Sequence, residues 1–127
     1  MGRINSKQKG KSGEREIVNI LKDYFGEDFT RNYLATRQKE GDILSDFLDR
    51  NKLHFEVKRR EQLDIRSWVE QAQRDVAETK IDKDYAVLFR KNDTKTNGVL
   101  GKWHVVVELE FFLELLSLLE KENNGKV

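Results

Sequence analysis

The 127-residue sequence contains neither cysteine nor proline. Without cysteine it can form no disulfide and no thiolate zinc site, which fits a reducing cytosol. Without proline, polyproline segments and rigid proline turns are excluded. Long apolar runs are also missing, because the longest, near residues 111–119, is short and interrupted by Glu114, and it cannot span a bilayer. The basic N-terminus is not followed by the apolar segment of a secretory signal. We therefore expect a cytoplasmic protein that does not bind membranes.

Charge is abundant but unevenly distributed. Charged and apolar residues each make up 37% of the chain, and the net charge is only +1. The length is that of one domain. Basic residues cluster in two segments, the first before Glu14 (Arg3, Lys7, Lys9, Lys11) and the second at Lys58, Arg59 and Arg60. Such clusters can bind a polyanion locally, although solvated surface charge explains them about as well.

Hydrophobic periodicity predicts one domain at residues 12–121, after a flexible basic arm (1–11) and before a disordered tail (122–127). A helix is predicted from an N-cap at Ser12 to Gly26. Strands follow at 29–33, 41–44 and 53–60, then a helix at 64–79, strands at 85–89 and 103–107, and a last helix at 110–121. This α-β-β-β-α-β-β-α order predicts an α/β or α+β domain, with a mixed central β-sheet flanked by helices.

The strand at 53–60 carries the first chemical signal. Its strict alternation places Glu56 and Lys58 side by side on one face, which His54 shares. Alone, this pattern also fits a surface ion pair and a structural histidine. Asp42 precedes this strand, and if the two segments are neighbours, two carboxylates meet there. Adjacent carboxylates at a buried edge repel each other unless a cation lies between them. Oxygen ligands of this kind suit Mg²⁺, whereas a turn or cap aspartate is the alternative for Asp42.

Three segments in this order are similar to known nucleases: Lys9-Gly10-Lys11-Ser12-Gly13-Glu14-Arg15-Glu16, Gly41-Asp42-Ile43 and Phe55-Glu56-Val57-Lys58. Together they resemble the PD-(D/E)XK nuclease superfamily and, within it, the archaeal-type Holliday junction resolvases that also occur in phages. The resemblance covers roughly residues 9–107. It implies a restriction-endonuclease-like fold, a homodimer, and Mg²⁺-dependent cleavage of DNA, with Mn²⁺ as a substitute. The setting would be the cytoplasm of a bacterial, archaeal or phage-infected cell.

The resemblance also implies roles for individual residues. Catalytic residues would be Glu14, Asp42, Glu56 and Lys58, and the metal ligands Asp42, Glu56, the Val57 carbonyl and Glu14. Gln71 would be an auxiliary residue. DNA-binding candidates are Lys9, Lys11, Arg15, Arg31, Arg37, Arg59 and Arg60, of which Arg15 and Arg31 match resolvase positions. The sequence departs from the pattern in having Gly41 where the superfamily motif has proline. The loop at 34–40 also lacks the glycines and serines of many archaeal resolvases.

The residues themselves suggest a mechanism. A divalent ion on Asp42 and Glu56 would neutralise phosphate oxygens and lower the pKa of a bound water. Lys58 would orient that water and stabilise transition-state charge. Glu14 could hold a second metal or a metal-bound water, so one and two metals remain open. The alternatives are another phage nuclease of the superfamily (nicking or restriction-like), a non-catalytic nucleic-acid-binding module, and a protein–protein adaptor.

The last predicted helix carries apolar residues on more than one side: Phe111, Phe112, Leu113, Leu115, Leu116, Leu118 and Leu119. Such a helix needs partners on two sides. Part of it is therefore predicted to form a dimer interface, and the alternative is a core helix of a single protomer.

Overall fold

A computed structural model describes residues 6–91 and 101–125 of the chain. The elements in order are α1 (Ser6–Phe25), β1 (Thr30–Arg31), a 3-10 helix (Ala35–Glu40), β2 (Ile43–Leu44), α2 (Asp46–Arg50), β3 (Leu53–Arg60), α3 (Ile65–Thr79), β4 (Asp84–Lys91), β5 (His104–Val106) and α4 (Leu109–Asn124). The described residues thus form a mixed α+β domain with a three-stranded mixed sheet and four α-helices. This architecture is consistent with the predicted restriction-endonuclease-like fold.

The three-stranded sheet has the order β3-β4-β5. β3 and β4 are parallel, with Glu56 opposite Val87, and β4 and β5 are antiparallel, with Val87 opposite Val106. Parallel neighbours need a crossover connection, which α3 provides. β1 and β2 form a separate antiparallel ribbon in which Arg31 lies opposite Ile43.

Apolar layers cover both faces of β3 and β4. One layer joins α1, α2 and the ribbon to the sheet and contains Ile17, Val18, Phe29, Ile43, Leu48, Val57, Ala86 and Leu88. The other lies under α3 and contains Trp68, Ala72, Tyr85 and Val87. Because β3 is covered on both sides, the face that carries Glu56 is not solvated. Glu56 is only 2% exposed, which excludes the surface ion pair as an explanation of the Glu-x-Lys pattern.

Helix α1 begins earlier than predicted. It starts at Ser6, so Ser12 is not its N-cap and Glu14 is not in its first turn. Residues 6–11 contain no apolar side chain, so hydrophobic periodicity could not identify them as helical. Their lysine and glutamine residues are nevertheless good helix formers. The end of α1 is as predicted, because Gly26 adopts a positive φ of 64° and its N–H donates to the Lys22 carbonyl.

Several other boundaries differ from the predictions. Helix α4 extends to Asn124, so the first residues of the predicted tail are helical. The loop at 34–40 contains a 3-10 helix, and the turn at 45–52 contains α2, which begins where the Ser45 hydroxyl accepts a hydrogen bond from the Leu48 N–H. The two ribbon strands are shorter than predicted and β4 is longer. Residues 1–5 of the predicted arm, 92–100 of the predicted loop and 126–127 of the predicted tail lie outside the described residues.

No helix in the described part of the chain is long and apolar enough to cross a membrane.

Candidate active site

Asp42 lies between the ribbon and the sheet, directly before β2. Its N–H donates to the Phe55 carbonyl at 2.8 Å, and its Oδ2 accepts from the Val57 N–H at 2.7 Å. These two bonds fix Asp42 against the middle of β3. Asp42 therefore lies beside Glu56, although β2 pairs with β1 and not with β3.

Gly41 makes this approach possible. Its φ is +96°, and a Cβ at this position would lie 2.7 Å from the Phe55 carbonyl oxygen. Proline, which is fixed near a φ of about −65°, could not adopt this conformation. The departure from the superfamily motif at this position therefore has a local cause, because the positive φ and the close approach to β3 both require glycine.

Glu56 and Lys58 project from the same face of β3 toward α3. Glu56 Oε1 lies 2.7 Å from His54 Nε2, and Lys58 Nζ donates to Gln71 Oε1 at 2.9 Å. Burial raises the pKa of both Asp42 and Glu56, and the positive charge of Lys58 partly offsets this rise in each of them. The three charged groups therefore lie close enough to interact. Gln71, predicted as an auxiliary residue, thus holds the lysine.

Burial makes the ionisation of both carboxyl groups unfavourable. Burial raises the pKa of Asp42 from 3.8 to about 7, and the charge of Glu56 adds to this effect. Burial likewise raises the pKa of Glu56, although Lys58 counteracts it. A divalent cation with oxygen ligands would relieve both penalties, because it supplies the positive charge that one lysine cannot supply alone. The donor set therefore fits such a cation, held by Asp42 and Glu56, with the Val57 carbonyl a predicted third ligand.

Glu14 lies at the edge of this group. Its Oε2 accepts a hydrogen bond from Arg31 Nε at 2.8 Å, and its side chain is 19% exposed. Burial raises the pKa of Glu14, and the charge of Asp42 raises it further, whereas Arg31 lowers it. Gly13 lets α1 approach the sheet closely, because a Cβ there would lie 3.1 Å from the Arg59 Cβ. The structure thus brings Glu14 near Asp42 and pairs it with an arginine.

The predicted DNA-binding residues fall into two groups. Three are paired with acids of the chain: Arg31 with Glu14, Arg37 with Glu40, and Arg59 with Glu16 at 3.7 Å. Lys11 and Arg15 are exposed on α1, and Arg60 is half-buried. The Lys9 side chain lies outside the described residues. DNA binding by all seven remains a prediction.

Sequence reasoning missed Asp75 and left the role of His54 open. Possible metal-ligand atoms of His54, Glu56 and Asp75 all lie within 4.8 Å of one another, and all three residues are buried. Asp75 projects from α3 at the spacing of its buried positions Trp68 and Ala72. A charged residue on the apolar stripe of a helix was the signal that could have identified it.

Comparison with known proteins identifies a family. The family model described as "Phage putative PDDEXK endonuclease" matches residues 5–123. The chain belongs to this phage PD-(D/E)XK endonuclease family. The resemblance to the PD-(D/E)XK superfamily is thereby confirmed, and with it an assignment to nucleases that act on DNA, whereas the narrower resemblance to Holliday junction resolvases stays a prediction. Searches of curated proteins and of solved structures found no match.

Proposed function

We propose that this phage PD-(D/E)XK endonuclease is a Mg²⁺-dependent enzyme that hydrolyses phosphodiester bonds in branched DNA, with the four-way junction as its preferred substrate. The observation that carries the catalytic part is the position of Asp42, which is hydrogen-bonded to β3 beside Glu56 and Lys58. Two carboxyl groups whose pKa values are raised by burial are costly to keep together unless they serve a cation.

In the proposed reaction, each residue of the site has its own role. Asp42 and Glu56 hold the cation, which supplies charge neutralisation at the phosphate and an acidified water when bound. Lys58, held by Gln71 at 2.9 Å, is placed to donate a hydrogen bond to the attacking water and to stabilise charge on the phosphate oxygens. Glu14 lies near enough to Asp42 for the Asp42 charge to raise its pKa, and it is the third acidic residue of the site.

The surface between α1 and β1 supports DNA binding. A cavity of about 360 Å³ is lined there by Arg15, Val18, Asn19, Lys22, Phe29, Thr30, Arg31 and Tyr33. Its basic side chains can contact phosphates, which give affinity but not sequence specificity. A second cavity, of about 210 Å³, lies beside Asp42. Tyr33 lines both cavities, so the basic surface and Asp42 lie on neighbouring parts of the protein where a DNA backbone could contact both.

Helix α4 supports a homodimer. None of its residues is buried, and seven large apolar side chains on it are 42–69% exposed: Leu109, Phe112, Leu113, Leu115, Leu116, Leu118 and Leu119. An apolar surface of this kind on a small domain marks an interaction site. A two-fold dimer would present two active sites to a two-fold substrate, as junction resolution requires.

Light scattering tests the dimer. The wild-type chain should be dimeric at micromolar concentration, and the double variant Leu116→Glu/Leu119→Glu should be monomeric with unchanged helical content. A monomeric wild type would reject the dimer.

A cleavage panel tests the function. The chain is incubated with four-way junction, flap, nicked duplex and linear duplex DNA, with Mg²⁺ or with EDTA. We expect Mg²⁺-dependent paired nicks in the junction, and we expect Asp42→Asn to abolish them while DNA binding persists. Preferred cleavage of linear or nicked duplex would instead indicate a restriction-like or nicking enzyme. Binding without cleavage of any substrate would indicate a non-catalytic module.

A further inference from the structure

His54 is fully buried and belongs to none of the roles described above. Its side chain has 0% exposure, and Glu56 beside it has 3%. The two residues are two positions apart on β3, so their side chains project from the same face. The Nε2···Oε1 distance of 2.7 Å is that of a strong hydrogen bond.

The direction of this hydrogen bond follows from the chemistry of the two groups. An ionised carboxylate has no proton to donate, so Nε2 must carry the proton when Glu56 is charged. Nδ1 has no partner among the described residues, and this proton placement leaves it as an unpaired acceptor, which costs less than an unpaired N–H.

We infer that His54 is a positioning residue, which holds the Glu56 carboxylate in one orientation beside Asp42 through the buried Nε2–H···Oε1 hydrogen bond. The inference rests on the proposed function, because it assigns Glu56 as a cation ligand. Carboxylates that bind metals are themselves held by hydrogen bonds, and loss of such a support typically lowers metal affinity about 10–100-fold. Lys58, Asp42 and Asp75 are the other charged groups that act on Glu56. Asp42 and Asp75 are acids and offer no N–H donor, and the Lys58 ammonium donates to Gln71.

The test measures Mn²⁺ affinity by titration calorimetry, without DNA, in four variants. His54→Gln keeps an N–H donor at a similar reach. His54→Asn is equally polar but too short to reach Glu56, and His54→Leu has similar bulk and no donor. His104→Gln is the matched control, because His104 is the other of two histidines in the chain and is exposed on β5. Thermal unfolding of each variant establishes that it is folded.

We expect the Asn and Leu variants to lose about 10–100-fold in Mn²⁺ affinity, and the Gln variant and the His104 control to stay within threefold of wild type. In cleavage assays the Asn variant should need correspondingly more Mg²⁺, while its kcat at saturating Mg²⁺ changes only a few-fold. If His54 had only a structural role, the Asn and Gln variants would not differ in Mn²⁺ affinity in this way. If the Leu variant does not fold, the difference in Mn²⁺ affinity between the Asn and Gln variants is sufficient to test the inference.

Two results would overturn the inference. Wild-type Mn²⁺ affinity in the Asn variant would show that the hydrogen bond has no effect on the site. A directly coordinated imidazole nitrogen in the pulsed electron paramagnetic resonance spectrum of bound Mn²⁺, lost in His54→Gln, would make His54 a ligand instead of a positioning residue. Glu56→Gln separates this failure from failure of the proposed function. If that variant loses Mn²⁺ binding, the cation site stands, and if wild type itself binds no Mn²⁺, the proposed function and the inference fail together.

Discussion

Replacement of Asp42 by asparagine should stabilise the cation-free protein while it abolishes activity. The new amide would keep an oxygen that can accept the Val57 N–H hydrogen bond, at present 2.7 Å long. It would remove a negative charge that is unfavourable because it is buried and, in addition, because it lies beside Glu56. The pKa of Asp42 rises from 3.8 to about 7 in the folded chain. Each pKa unit corresponds to about 1.4 kcal/mol, so the ionised side chain costs on the order of 4 kcal/mol above pH 7. We expect a net gain of about 1–4 kcal/mol, because relaxation around the amide offsets part of this value.

The gain should depend on pH in a defined direction. A carboxyl group whose pKa is raised on folding contributes no penalty below its unfolded pKa, and the penalty grows until the pH exceeds the folded pKa. The stability difference between the Asp42→Asn variant and wild type should therefore be small at pH 4, increase up to about pH 7, and stay constant above it.

Thermal unfolding in EDTA at pH 5 and pH 8 measures this difference. For a domain of this size, about 1 kcal/mol shifts the Tm by about 4 °C, so a rise of several degrees at pH 8 should be visible. Mg²⁺ should raise the Tm of wild type and not that of the variant. Asp23→Asn, at an exposed position on α1, is the control and should change neither value. A variant that is less stable than wild type at pH 8 would refute the reasoning, because burial and the neighbouring Glu56 would then not make the Asp42 charge unfavourable.

Three further predictions address the support of the site, its backbone and its DNA contacts. Gln71→Ala removes the 2.9 Å hydrogen bond that holds Lys58 Nζ. We expect kcat in single-turnover cleavage to fall about tenfold, with little change in DNA binding. An unchanged kcat would show that Lys58 does not need this hydrogen bond. Gly41→Ala should destabilise the chain far more than Gly26→Ala in urea unfolding, because a Cβ at 41 lies 2.7 Å from a β3 carbonyl whereas nothing lies within 4 Å at 26; equal losses would contradict the packing described. Arg15→Gln should reduce the slope of log binding constant against log salt concentration by about 1, and an unchanged slope would remove this residue from the DNA interface.

Local periodicity was sufficient to predict the elements that carry the chemistry. β3 was predicted with its observed bounds, and Asp64 caps α3 one residue before its first turn. In a strand, alternation alone places Glu56 and Lys58 on one face. These two features depend on residues close together in sequence, where spacing determines geometry. The proximity of Asp42 to Glu56 was a condition of the sequence argument and not a result of it. The structure meets this condition through hydrogen bonds of Asp42 with Phe55 and Val57 and not through pairing of β2 with β3.

The features that sequence reasoning missed depend on distant contacts. Arg31 is bound to Glu14, which is 17 residues away, and no pattern in either segment indicates that pair. His54 was given no definite role, because Asp75, the α3 residue that lies near it, is 21 positions away in sequence. The parallel pairing of β3 with β4 likewise depends on a crossover that periodicity does not specify.

Cleavage by Glu56→Gln tests the central claim most directly. This change keeps the size of the buried side chain and its ability to accept a hydrogen bond from His54 Nε2, but removes the negative charge that the cation site needs. In single-turnover assays at saturating Mg²⁺, we expect DNA hydrolysis to fall at least about a thousandfold, or about 4 kcal/mol in transition-state stabilisation, with DNA affinity unchanged or higher. Hydrolysis at the wild-type rate by this variant, or undiminished hydrolysis by wild type in EDTA, would contradict the account.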